Sequence, residues 1–150
     1  MRKTLLLLFA AALAACAGEP RPEELVKGRD LCASCRMPVS DAHFAAQITA
    51  PGELPRFFDD PGCLSDFVKS GASGSSGALA WVADHRTGTW VRADRAVFTR
   101  VPGLETPMGH HLIAHEKAGS RDADPDARNG QAIEPREIFG PKGPPSGAHE

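Results

Sequence analysis

Cys32 and Cys35 stand three residues apart and Met37 follows two positions later, so the stretch LCASCRMP gathers three sulfurs in a chain with 4 cysteines and 3 methionines. Two thiolates at this spacing can hold a metal ion or exchange with a disulfide, and a thioether beside them narrows the choice. In a redox dithiol the pair follows a buried strand and opens a long helix that lowers the thiol pKa. Here the preceding EELVKGRD is not strand-like, and Pro38 would interrupt such a helix. A structural zinc site would take Cys32 and Cys35 as one knuckle and needs two more ligands. Cys63 and downstream histidines are available, but no second Cys-x-x-Cys exists. Copper(I) accounts for the methionine, because a thioether suits a soft monovalent ion and is a poor zinc ligand.

A second methionine stands in TPMGHH, where Pro107 and Gly109 put Met108 in a loop, with His110 and His111 following at once. This segment supplies the missing soft and borderline donors. The candidate metal ligands are therefore Cys35, Met37 and Met108 first, then Cys32 and His110. Cys63 lies in the first turn of an expected helix, where the dipole favours thiolate, yet it reads first as a small buried residue packing that helix on a sheet. Asp59 and Asp60 read as turn and cap residues, since hard carboxylates match copper(I) poorly. No Gly-rich phosphate loop or Ser-His-Asp arrangement stands out.

The elements that must position these residues are short. HFAAQITA (43–50) and Arg56–Phe58 read as strands. Asp60-Pro61 opens a helix, with an aspartate N-cap, proline at the first helical position, and Leu64, Phe67 and Val68 at helical spacing; it ends at Ser70-Gly71. SGASGSSG (70–77) is linker-like. Residues 78–85 and 89–101 form an expected hairpin about Arg86-Thr87-Gly88, offering Trp81, Trp90, Val97 and Phe98 to the core, with Trp81 and Phe67 mostly buried. A strand at 111–116, a short helix at 124–128 and a strand near 132–133 close the domain. Short antiparallel strands with two or three helices and no regular βαβ alternation define the α+β class.

The ends set the compartment. Arg2 and Lys3 precede an apolar run too short to span a bilayer, and this run ends in Leu13-Ala14-Ala15-Cys16. These residues resemble the signal peptide and lipobox of bacterial lipoproteins: residues 1–15 are expected to be removed and Cys16 to carry the lipid. Residues 16–30 read as a flexible tether, 31–139 as the metal-binding domain and 140–150 as a disordered tail. The formal charge is −2 at pH 7, which gives no electrostatic case for nucleic acid. Export reaches an oxidising compartment, where Cys32, Cys35 and Cys63 cannot all pair within the chain.

The order LCASCRMPVSD, AAQI, RFFDDPGCL, WVADH, TWVRADRAVF, TPMG and NGQAIEPREIF resembles NosL, the lipoprotein accessory factor of bacterial nitrous oxide reductase, from about Leu31 to Phe139. The resemblance implies a non-catalytic copper(I) chaperone, lipid-anchored in the cell envelope and facing the periplasm. It would deliver copper for assembly of the copper-sulfide centre of the reductase, with an ABC-transporter-type complex as partner. It also implies an α+β fold of two treble-clef-like ββα halves. The family usually has glycine between the second cysteine and the methionine, where this chain has Arg36. A membrane-anchored thiol-disulfide oxidoreductase using Cys32 and Cys35, and a structural zinc module, are the alternative readings.

Overall fold

The computed structural model describes residues 19–72 and 74–147. The expected signal peptide and Cys16 lie outside the described residues. Strands β1 (Ala46–Thr49), β2 (Arg56–Phe58), β3 (Leu79–Ala83) and β4 (Trp90–Arg92) form an antiparallel sheet in the order β2-β1-β3-β4. Strands β5 (Val97–Arg100), β6 (Leu112–His115) and β7 (Gln131–Ile133) form a second, in the order β6-β5-β7. Three short helices, α1 (Pro61–Lys69), α2 (Ala118–Asp122) and α3 (Pro135–Phe139), complete the expected α+β class, with a 3-10 turn at Pro125–Ala127. Among the described residues no helix is long and apolar enough to cross a membrane.

Helix α1 forms where the sequence signals it. The Asp60 side chain accepts from the Cys63 N–H, Pro61 occupies the first turn, and Gly71 follows at φ +85°. Its inner face buries Cys63, Leu64 and Val68 against Phe58, Ile48 and Val82. Full burial of a side chain such as Leu64 contributes about 1.5–3 kcal/mol. Phe67 and Trp81, expected to be mostly buried, are only partly so. Phe67 packs on Phe58 at 5.2 Å. Trp81 lies on the outer face of the first sheet, where its Nε1 donates to Thr49 Oγ1 at 2.9 Å and the Arg92 guanidinium lies 5.9 Å from its ring.

The expected strand at 89–101 is two strands. Residues 93–96 turn, closed by an Arg95 N–H to Arg92 carbonyl bond of 3.0 Å, and β4 and β5 join different sheets. Both flanks alternate as strands do, so pattern alone joins them across the turn.

Two boundaries also move. Every residue of β1 is buried, because its second face is covered too. Gln47 is fully buried; Glu23 N–H donates to its Oε1 at 2.9 Å and its Nε2 donates to the Glu23 carbonyl at 3.0 Å. Leu25 packs with Val39, Ala45 and Phe57, and Gly28 N–H donates to the Val39 carbonyl. The described part of the expected tether, residues 19–30, is thus docked, because a buried amide needs partners at both ends. The described part of the expected disordered tail, residues 140–147, docks too. Ala80 N–H donates to the Pro145 carbonyl and Gly147 N–H to the Ala78 carbonyl, along the stretch of β3 that β4 leaves unpaired.

Candidate metal centre

Residues 31–38 fold back on themselves as a knuckle. Leu31 pairs with Pro38, Cys32 N–H donates to the Met37 carbonyl at 2.8 Å, and Arg36 N–H donates to the Cys32 carbonyl at 2.9 Å. Cys35 N–H points back at Cys32 Sγ, 3.4 Å away. Closing so tight a loop requires a left-handed residue, and Arg36 fills that place at φ 67°. Glycine adopts this conformation without a Cβ penalty, so Arg36 holds the knuckle at a backbone cost that a glycine would not incur. Ala33 N–H donates to the Phe57 carbonyl at 2.8 Å, seating the knuckle on β2.

Opposite the knuckle stands Cys63, in the first turn of α1. The sulfurs of Cys32, Cys35 and Cys63 lie within 4.8 Å of one another, and all three are free thiols. Cys32 and Cys63 are buried at 0% and 2% exposure, while Cys35 opens toward the surface. A hydrogen bond from the Cys63 thiol, helped by the Cys35 and Asp59 N–H groups and opposed by burial, lowers the Cys32 pKa to about 5. The same bond, with burial and the Asp60 carboxylate, drives the Cys63 pKa far up. Burial raises Cys35 as well. With the Cys32 pKa lowered and those of Cys35 and Cys63 raised, binding an ion through all three sulfurs releases protons.

A loop approaches from the other side. His110 Nδ1 lies 2.8 Å from Asp60 Oδ1, and Met108 N–H donates to Asp60 Oδ2 at 3.3 Å. Donor atoms of Asp60, Cys63 and His110 also fall within 4.8 Å of one another, so Cys63 belongs to both groups. The His110 ring occupies the space that a Cβ on Gly62 would need. With Nδ1 held by a carboxylate, Nε2 is the nitrogen left for a metal; it lies 3.4 Å from Asp66 Oδ2.

The structure therefore places four of the sequence candidates around one region. Cys32 and Cys35 converge directly, His110 reaches Cys63 through Asp60, and the half-buried Met108 packs against the cluster that contains Cys32 and Cys63. Met37 is 54% exposed on the knuckle and is not a core residue. His111 turns away at φ 57°, its Nδ1 2.7 Å from the Leu104 carbonyl. Cys63 is the thiol that sequence reasoning assigned to packing; its place three residues after the N-cap was the available signal. Asp60 does cap the helix as expected, and also holds His110.

Three close cysteines form a group able to hold a metal ion. No family model matches this chain, and no curated protein matches it.

Proposed function

We propose that this chain is a copper(I) carrier of the NosL kind. It takes the ion in the cell envelope and passes it on for assembly of the copper-sulfide centre of nitrous oxide reductase, without catalysis of its own. The observation that carries the reading is the convergence of three thiols with the methionine-bearing loops at their edge. Soft thiolate and thioether donors match copper(I). The buried Cys32 and Cys63 keep water from the ion, while Cys35 and the exposed Met37 give an acceptor a point of attack. Ligand exchange then proceeds one donor at a time.

Zinc is the second reading, favoured by one observation: Cys63 is shared between the three-thiol group and the group of Asp60, Cys63 and His110, which puts zinc-type nitrogen and oxygen donors beside the thiols. An anaerobic copper(I) titration of the full chain in detergent, against a competing chelator and then against zinc, decides between them. One tightly held copper(I) that zinc cannot displace supports the carrier. Preference for zinc by the wild-type protein would falsify it.

A further inference from the structure

Away from the sulfur cluster, the ends of the two sheets meet at three polar side chains. His85 follows β3 of the first sheet, His115 ends β6 of the second, and Asp124 opens the 3-10 turn. His85 Nδ1 lies 2.7 Å and His115 Nε2 2.9 Å from the same oxygen, Asp124 Oδ2. The side chains of His85, His115 and Asp124 are 10%, 0% and 4% exposed. We propose that His85, His115 and Asp124 form a second cation site, for a borderline divalent ion of the zinc class, which clips the two sheets together.

The carboxylate is aimed in advance. Its Oδ1 accepts the Asp126 N–H at 3.0 Å, which leaves Oδ2 to the rings. The rings are fixed as well: His85 N–H donates to the Ala114 carbonyl at 2.8 Å, tying the end of β3 to β6, and the Phe44 ring packs on His85 at 4.7 Å. Ligand atoms about 2.0–2.1 Å from a tetrahedral zinc sit about 3.3 Å apart. The two hydrogen bonds need to lengthen by about 0.6 and 0.4 Å to admit the ion, which takes the place of the two shared protons between the rings and the carboxylate.

The unpaired atom here is His115 Nδ1, buried without a hydrogen-bond partner. An ion on Nε2 supplies the positive charge at the carboxylate itself. The ring proton then rests on an unsupported Nδ1, and loss of such outer support weakens metal binding by about 10- to 100-fold. The site is accordingly an exchangeable one, and its two nitrogens and one oxygen suit zinc or cobalt(II) rather than copper(I).

The test is a cobalt(II) and zinc titration of the full chain in detergent under reducing conditions, with Cys35→Ser, His85→Phe and Asp124→Asn beside wild type. Cobalt bound here shows ligand-field absorption without thiolate charge-transfer bands, survives Cys35→Ser and weakens in His85→Phe and Asp124→Asn by at least the ~10- to 100-fold that loss of an outer-shell partner costs. Zinc should also shift the ring nitrogen resonances of His85 Nδ1 and His115 Nε2 in wild type, a readout that needs no variant to fold. Unmoved resonances, or cobalt affinity unchanged by His85→Phe, overturn the proposal.

Discussion

Asp60 holds His110 from beneath: one carboxylate oxygen, 2.8 Å from the imidazole Nδ1, also accepts the Cys63 N–H that starts α1. A single side chain thereby fixes the helix, the cysteine in its first turn and the histidine above it. Replacing Asp60 by alanine removes the cap and should lower stability by about 0.5–2 kcal/mol, read from the urea midpoint. Copper(I) affinity should fall with it, because His110 and the Met108 loop lose their common anchor. A variant that loses stability while keeping wild-type affinity would mean that His110 is not a ligand.

The Cys32 pKa of about 5 depends first on the proton that Cys63 donates. Removing a donor that stabilises the thiolate must raise the pKa, so Cys63→Ala should move the thiolate absorbance of the reduced apoprotein to higher pH. In wild type that absorbance should persist down to about pH 5. The measurement is an ultraviolet pH titration without metal. Since the Cys35 and Cys63 pKa values are raised, copper(I) binding through them must release protons and tighten as pH rises.

Met37 is exposed, so Met37→Leu should leave the unfolding midpoint within about 0.5 kcal/mol of wild type. Its copper(I) affinity should nevertheless drop, because only the sulfur donor is lost. The half-buried Met108 should show a comparable loss of affinity as leucine, with a stability change of less than about 1.5 kcal/mol. Wild-type affinity in both proteins would remove the distinction between copper and zinc.

Arg36→Gly tests the backbone of the knuckle. A non-glycine residue in the left-handed region costs about 1–2 kcal/mol, partly offset by the greater freedom of glycine in the unfolded chain. The variant should be modestly more stable and retain copper(I) affinity, judged by thermal unfolding and chelator competition. A loss of stability would mean that the guanidinium makes a compensating contact.

What was legible in the sequence was local. Asp60-Pro61 with Leu64 and Val68 fixed α1, and Arg56–Phe58 formed the strand expected there. The Cys-x-x-Cys-x-Met knuckle announced itself by spacing. Helices α2 and α3 are 5 residues each, too short for a 3.6-residue period to register. The reciprocal Glu134 and Glu137 capping box at α3 lies in EPRE, too short a signal by itself to mark a helix. Cys63 and the His85, His115 and Asp124 group were hidden for another reason: their meaning lies in tertiary proximity, and no sequence period brings residues 85, 115 and 124 to one point.

The docking of residues 19–30 bears on reach. Glu23 is bonded through both its backbone groups to Gln47, and Arg92 Nη1 pairs with Glu19 Oε1 at 2.6 Å. If Cys16 carries a lipid, the leash from bilayer to domain is only the few residues before these contacts, and an extended chain covers at most about 3.6 Å per residue. For the proposed lipid-anchored carrier, so short a leash would confine the domain to a thin layer over the bilayer. Under that proposal an acceptor would have to present its receiving ligands within that layer, and lengthening the segment before Glu19 would widen the search volume without touching a proposed metal ligand.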